Sequence, residues 1–513
     1  MSDLDNILAA AYGFDEPAIE FGHAITDGAP HGSLPIRLPL RMLNRHGLIA
    51  GATGTGKTRS LQLLAEACSR NGIPAFVSDV KGDLSGIATP ATATPKLVER
   101  MARVEREFKP EAFPVEYFSL TGNTGAQLRA TVSSFGPILL AKVLDLTETQ
   151  QSVLALVFKY CDDRALPLLD FKDLREVLNY LTSDEGKLEL KREYGGISPA
   201  SVGVLFRKMV ELEQQGADRF FGEPELDLAD VMRTAPDGRG VVSILTLSDV
   251  QDKPRLYSTF LMWMLGRLYY DLPEIGDADK PKLVFFFDEA HQLFEDSSSA
   301  LVEHIEQIAR LIRSKGVGVF FITQTPKDVD EDVLAQLGNR VQHAVRVLTP
   351  KEAKNVRATA STFPPSPHLD IEKALPALGI GEALISFLTP KGAPNEAAVA
   401  QVAAPSSSME PLESAEHARR VAASAIAGKY RTPVDRESAH EILSRKLEQA
   451  RVEQPEPRET AAPAPRAPRA GRRRQTLGEK VVGNVTRQAT RTITSIIARE
   501  ILGVLGVGRS RRR

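Results

Sequence analysis

The stretch Gly47-Leu-Ile-Ala-Gly51-Ala-Thr-Gly54-Thr-Gly56-Lys57-Thr58 decides the fold. Its first four residues read as a short buried strand. The next eight match G-x-x-x-x-G-K-[ST] in full, and Arg59 to Arg70, with Leu61, Leu63, Leu64 and Ala67 apolar, reads as a helix that Gly72 ends. Glycines let successive backbone N–H groups turn inward onto phosphate oxygens, and the helix that follows adds the positive end of its dipole. Gly51, Ala52, Thr53, Gly54, Thr55, Gly56, Lys57 and Thr58 are therefore expected to cradle a nucleoside triphosphate, with Arg59 beside them. Lys57 is expected on the β- and γ-phosphates and the Thr58 hydroxyl on Mg²⁺.

Working outward, Pro74-Ala-Phe-Val-Ser78 is the next strand and closes on Asp79. Strand–loop–helix–strand is the opening unit of a parallel sheet with crossover helices. Further strands are expected over 240–247, 282–288, 317–323, 342–348 and 382–387, with a shorter strand-like run at 34–40. Continuous apolar strands separated by helices predict an α/β fold whose mainly parallel sheet is covered on both faces. The expected organisation has a short N-terminal segment (1–45) and the first part of the core (46–145). A mainly helical insertion (146–234), opened by a Thr147-x-x-Gln150 capping box, precedes the second part of the core (235–402). A helical extension (403–453), a Pro/Ala/Arg-rich disordered linker (454–475) and a basic amphipathic tail (476–513) complete it.

Asp288-Glu289 ends the strand of five apolar residues, Leu283 to Phe287. Such a strand puts an acid at the carboxyl edge of the sheet, beside the phosphate loop. Asp288 is expected to hold Mg²⁺ through water, and Glu289 to polarise the attacking water. Asp288-Glu289-Ala290-His291 spells DEAH, but four letters without accompanying motifs do not indicate a DEAH-box helicase. Gln324 follows the next strand and is expected to face γ-phosphate or water in the same crevice. Asp79 is expected to help position water or metal. Arg310, Arg313, Lys315 and Arg340 are the basic residues from which a neighbouring subunit could supply a cation to the transferring phosphoryl group.

The chain of 513 residues carries 64 Lys and Arg against 66 Asp and Glu, a net charge of −2. From Arg466 to Arg513 there are 12 Arg, one Lys and two Glu, a net of +11, which leaves −13 for the rest. An acidic body with a basic tail points to an anionic partner for the tail. In that tail Leu477, Val481, Val485, Ile493 and Ile497 recur at helical spacing, with Lys480, Arg487, Arg491 and Arg499 on the other face. It is a candidate for nucleic acid, anionic lipid or a partner protein. Two distant cysteines, Cys68 and Cys161, suggest no disulfide framework or zinc pattern. The N-terminus lacks a secretory pattern and no run of about 18 apolar residues occurs, so a cytoplasmic setting is expected.

With these residues placed, the chain resembles the HerA-like ATPases of the HerA/FtsK superfamily, in particular the YjgR-type bacterial subgroup. The resemblance rests on 47–58, Ser78-Asp-Val-Lys-Gly-Asp-Leu-Ser-Gly86, Phe220-Phe-Gly-Glu-Pro224, Phe287-Asp-Glu-Ala-His291, Ile312-Arg-Ser-Lys-Gly-Val-Gly-Val319, Thr323-Gln-Thr-Pro326 and Leu337-Gly-Asn-Arg-Val-Gln-His343. It implies a RecA-like P-loop core, ATP hydrolysis, a homo-oligomeric, hexameric ring with sites between subunits, and DNA translocation. It implies Arg313 as the arginine acting in trans, with Arg340 second. HerA itself docks a nuclease through an N-terminal β-barrel. Residues 1–45 are too few for a full barrel, which counts against a nuclease partner of that kind. An ATPase switch or remodeller acting on protein partners or at a membrane surface is the alternative function.

Overall fold

Each central strand alternates its side chains between two apolar layers, and this sets the architecture. Leu48 and Ala50 pack into one layer while Ile49 packs into the other; Leu283, Phe285 and Phe287 divide in the same way from Val284 and Phe286. A period of two with both faces apolar is what a sheet buried between helices requires. The computed structural model describes residues 3–276, 278–294, 299–347 and 349–453. Its strands are β1 (Ala18–Thr26), β2 (Ala29–Pro39), β3 (Gly47–Ala50), β4 (Ala75–Asp79), β5 (Val115–Ser119), β6 (Ala126–Gln127), β7 (Val242–Thr246), β8 (Leu283–Phe287), β9 (Val317–Thr323), β10 (Asn339–His343), β11 (Glu382–Ser386) and β12 (Ala398–Val402).

They form one sheet in the order β2-β1-β12-β11-β10-β3-β9-β8-β4-β7-β5-β6. From β10 to β6 every neighbouring pair is parallel. From β10 to β2 every pair is antiparallel. The α/β class and the mainly parallel sheet are as expected. The carboxyl ends of β3, β9, β8 and β4 lie along one edge, and the residues of interest follow those ends.

Several elements differ from the sequence reading. β1, β5, β6 and β12 were not legible: β1 interrupts its apolar residues with Glu20 and His23, and β12 is largely alanine and valine. Residues 18–39 form a hairpin that extends the sheet through β12. The strand expected over 342–348 lies at 339–343 instead. Asn339 begins it, and its side-chain amide donates to the carbonyls of Met42 and His46 (both 2.8 Å), so a buried polar residue stands where an apolar one would mark a strand.

The helical block begins at Val132, ahead of Thr147. Helices Val132–Val143, Glu148–Asp163, Phe171–Thr182 and Pro199–Gln214 share one core with helix Pro254–Asp271, in which Trp263 donates to Ser134 Oγ at 2.9 Å. The Thr147–Gln150 capping box is present. Helices Ala425–Arg431 and Ala439–Glu453 return to this block: Arg129 donates to the Tyr430 carbonyl (2.9 Å), and Asp173 accepts from the Ser438 hydroxyl and the His440 N–H. One compact unit covers Met1–Gln449. The linker and basic tail expected over 454–513 lie outside the described residues. Among the described residues no helix is long and apolar enough to cross a membrane, and both cysteines are buried and free.

A strap over 403–410 follows β12 and is bonded to the helix Lys57–Arg70. Glu66, fully buried, accepts the N–H groups of Ser406 (2.8 Å) and Ser407 (2.9 Å) and the Ser407 hydroxyl. Burial raises its pKa against the pull of those bonds. Gln62 donates to the Ser407 hydroxyl (2.7 Å) and the Ser408 carbonyl (2.9 Å). Glu66→Ala strands two buried N–H donors, and an unmade buried hydrogen bond costs about 1–3 kcal/mol. The expected outcome is a loss of roughly 2–4 kcal/mol in urea unfolding. An unchanged midpoint would contradict the strap's anchoring.

Candidate nucleotide site

The loop Gly51–Thr58 is held from outside by backbone bonds. The Gly51 N–H donates to the Gln324 carbonyl (3.2 Å), the Ala52 N–H to the Ala344 carbonyl (3.0 Å), and the Gly381 N–H to the Thr55 carbonyl (3.0 Å). Gly51 has φ 154°, and a Cβ there would lie 2.5 Å from the His343 Cβ, so no side chain fits. His343 is buried with both ring nitrogens engaged, at 2.8 Å from Ser60 Oγ and 2.8 Å from the Glu382 carbonyl; burial takes its pKa down to about 4. A neutral imidazole thus backs the loop.

Lys57 is buried and folds back on the loop, donating to the carbonyls of Gly51 (2.7 Å) and Ala52 (3.3 Å). Burial lowers its pKa, and the charges of Glu289, Asp288 and Asp328 oppose that while Lys81 adds to it. One crevice therefore gathers Lys57, Lys81, Asp288 and Glu289. Thr58 is half-buried one residue into the helix. Arg59 turns away from the loop, donating to Gln62 Oε1 (3.1 Å) and the Met409 carbonyl (2.5 Å).

Asp288 and Glu289 follow β8 as expected, both buried. Burial pushes Asp288 up to about 7, with Glu289 adding to the push and Lys81 opposing it. Its N–H is held by Ser78 Oγ at 3.2 Å, from the neighbouring β4. Glu289 has φ 48° and ψ 48°, left-handed for a residue with a Cβ. Such a conformation costs on the order of 1 kcal/mol and turns the side chain back into the crevice. There Glu289 Oε1 accepts from Lys81 Nζ at 2.5 Å, and Oε2 lies 3.3 Å from His291 Nδ1.

Lys81 was missed in the sequence. Burial lowers its pKa, but the hydrogen bond and charge of Glu289 outweigh that and leave it above the ordinary lysine range. Asp79 places it. The Asp79 carboxylate accepts the N–H groups of Gly82 (2.7 Å), Asp83 (3.3 Å) and Leu84 (2.9 Å) and so holds the turn that carries Lys81. Burial pushes Asp79 up to about 6. Asp79 was expected to position water or metal; in the fold both its oxygens also accept from the turn. The signal was available: Asp79 lies two residues before Lys81 at a strand end beside β8.

Gln324 is exposed and lines a cavity of about 580 Å³ with His291, Phe294, Lys327 and Asp328. Asp328, also missed, fixes the turn after β9 by accepting from the Thr323 hydroxyl (2.7 Å) and the Thr325 N–H (2.8 Å). Arg346, a third missed residue, donates to the Thr53 carbonyl at 3.2 Å. The trans-acting candidates are not in this crevice. Arg313 is exposed just ahead of β9, at the opposite edge of the sheet, whereas Arg340 is the second residue of β10, level with Leu48 of β3. Seven residues of β9 at about 3.3 Å each put roughly 20 Å between the two edges. Arg340 donates to the Leu334 carbonyl (3.3 Å), and its Nη1 is buried with no partner among the described residues.

Mg²⁺ fits the donors present. Asp288 Oδ2 and Glu289 Oε2 are buried without a hydrogen-bond partner among the described residues. Among those residues no cluster of three or more His, Cys, Asp or Glu could hold a metal alone. Mg²⁺ needs none, since it takes one or two protein oxygens and completes its shell with water and substrate phosphates.

Comparison with known proteins fits this geometry. The family described as Helicase HerA-like C-terminal matches residues 25–512. The chain belongs to this HerA-like family. Curated relatives include the DNA double-strand break repair helicase HerA of Saccharolobus solfataricus, 23% identical over 354 residues, covering 69% of this chain and 64% of that protein. The same-named protein of Sulfolobus acidocaldarius is 21% identical over 360 residues, again 69% and 64%. The chain thus spans less than two thirds of the length of these relatives. Among solved structures, the bacterial conjugative coupling protein TrwB has a TM-score of 0.49 at 14% identity, covering 77% of this chain and 90% of that one. The fold assignment rests on the strand order above and not on that likeness.

Lys81 gives the HerA-like site a test. Misplacing a reacting group by about 1 Å costs on the order of a hundredfold. Lys81→Ala is expected to lower kcat for ATP hydrolysis by tenfold or more while KM stays within about threefold, with partial recovery in Lys81→Arg. Equal kcat in Lys81→Ala and wild type would remove Lys81 from the site.

Proposed function

We propose that this HerA-like chain is an ATP-hydrolysing motor that works as a homo-oligomeric ring, of six subunits in the form the resemblance implies, and acts on DNA as a translocase or helicase. The observation that carries the reading is the single crevice of Lys57, Lys81, Asp288 and Glu289, with two carboxylate oxygens left unbonded in it. The names of the HerA relatives support DNA as the substrate.

In the mechanism, the loop N–H groups take the phosphate oxygens, and Lys57 exchanges the carbonyls of Gly51 and Ala52 for the β- and γ-phosphates. Thr58 and Asp288 would hold Mg²⁺. When bound, it neutralises charge on the phosphate oxygens. Glu289 accepts a proton from the attacking water, and its neighbour Lys81 restrains it until nucleotide arrives. Gln324 orients that water from the end of β9. Arg313 of an adjacent copy supplies the remaining cation, because it cannot cross the sheet to its own loop, with Arg340 the second choice. An arginine so placed raises the rate by roughly 10³–10⁵ where it operates.

The wider partners belong to the same proposal. DNA lies in the ring channel; the basic tail engages an anionic surface, either nucleic acid or lipid; the setting is cytoplasmic. Among the described residues no observation favours the protein-remodelling alternative over DNA.

Phosphate release by the purified chain, with and without duplex DNA, tests the reading. The expected outcome is stimulation by DNA that weakens as salt rises. Glu289→Gln is expected to bind ATP and to lose turnover by at least about a hundredfold. Arg313→Ala subunits mixed with Lys57→Ala subunits should recover part of the activity, since each mutant can complete a site at the other's face. Wild-type hydrolysis indifferent to DNA at every salt concentration would remove the DNA motor and leave the remodeller.

A further inference from the structure

A second cavity of about 440 Å³ opens beside the phosphate loop and shares Gly56, Arg59 and Ser60 with it. We infer that this cavity is the nucleoside subsite, and that it holds a purine by shape and apolar contact rather than by hydrogen bonds to the base edge. The inference rests on the nucleotide reading above and adds what the site accepts.

Its walls are built, not incidental. One is the helix Pro95–Ala102, which presents Leu97. The second is the turn before β11, which presents Ile380. That side chain is 79% exposed, the highest value among the large exposed apolar residues of the described chain. The turn is tied to the phosphate loop through the Gly381 N–H on the Thr55 carbonyl (3.0 Å). The third is the strap, which presents Pro405 and Met409 and is fastened to the loop's own helix through Glu66, Gln62 and Arg59. Arg100 joins two walls by donating to the carbonyls of Gly381 (2.7 Å) and Val402 (3.0 Å). A base that extends from phosphates on the loop enters between these walls. Covering Ile380 supplies the apolar burial that its exposure otherwise lacks.

Most side-chain polar groups of the cavity make bonds within the protein. Both His343 nitrogens are bonded within the protein, Arg59 and Arg100 donate to protein oxygens, and the Ser408 hydroxyl donates to the Glu410 carbonyl (3.1 Å). The side chains of Thr92, Thr94, Lys96 and Glu410 remain, all exposed at the rim. A site built to hydrogen-bond its substrate rejects the wrong one by about 10⁴–10⁵, whereas an apolar pocket discriminates by roughly 10–200. Adenine and guanine nucleotides are therefore accepted with similar affinity.

Calorimetry on the full chain with Mg²⁺ tests this with three ligands: ADP, GDP and inorganic tripolyphosphate. The expected result is ADP and GDP affinities within about thirtyfold of each other. Ile380→Glu and Leu97→Glu are expected to weaken both nucleotides by tenfold or more and to leave tripolyphosphate within about twofold, which also verifies the variants' fold. Lys57→Ala is expected to lose all three ligands. Unchanged ADP affinity in both cavity variants, or an ADP-to-GDP ratio beyond about a hundredfold, overturns the inference. Wild-type protein that binds none of the three overturns the nucleotide reading itself, and this one with it.

Discussion

The loop Gly51–Thr58 must keep the N–H groups of Gly54, Gly56, Lys57 and Thr58 free for a ligand, so something else has to hold it in shape. Neighbouring strand ends do so through main-chain bonds: the carbonyls of Gln324 after β9 and Ala344 after β10 accept from its first two residues, and the turn at Gly381 donates to Thr55. None of these partners is near the loop in sequence. The parallel order β10-β3-β9 brings them to one edge, and His343 behind Gly51 leaves no volume for a side chain there. The loop's shape is therefore a property of the sheet, and the sheet is in turn a property of two apolar layers.

The acids at the same edge create the opposite problem. Asp288, Glu289 and Asp79 are all buried, and buried carboxylates resist ionising. The fold answers differently for each. Asp79 is met by three backbone N–H groups and Glu289 by the ammonium of Lys81, whereas Asp288 keeps one oxygen, Oδ2, without a partner among the described residues and is pushed up to about 7. The least satisfied acid is the one to which a divalent cation would bring the most, because a positive charge there replaces the missing partner. Burial that is costly without ligand is what makes the site selective for one.

Much of this was legible in the sequence. The phosphate loop and the strands β4, β7, β8 and β9 are short apolar runs bounded by turn residues, and the strand-terminal Asp288 and Glu289 follow from where β8 must stop. What stayed hidden shares a cause. β10 begins with a buried Asn339 whose amide serves two carbonyls, and β1 carries Glu20 and His23 within an apolar pattern. Lys81 and Arg346 sit in turns without periodicity, and their importance lies in partners 208 and 293 residues away. The part Asp79 plays in its turn stayed hidden for the same reason: only the fold reveals that its oxygens accept from Gly82, Asp83 and Leu84.

The placement of the arginines follows from the sheet's polarity. Parallel strands put every loop that follows a strand on one edge and every residue that precedes a strand on the other. Arg313 precedes β9 and so stands where the chain's own loop cannot be reached, whereas Arg340, the second residue of β10, lies level with Leu48 of β3. His46 secures that far edge: it accepts the Val319 N–H at 3.0 Å and lies 2.6 Å from the Ala309 carbonyl, and burial takes its pKa down to about 4, so it works as a neutral tie. It also joins the start of β3, which leads into the phosphate loop, to the segment that carries Arg313. The two ends are thus joined through one buried ring. In a ring of copies, with the far edge of one subunit facing the loop of the next, that tie would link the state of a subunit's own nucleotide to the position of the arginine it offers its neighbour.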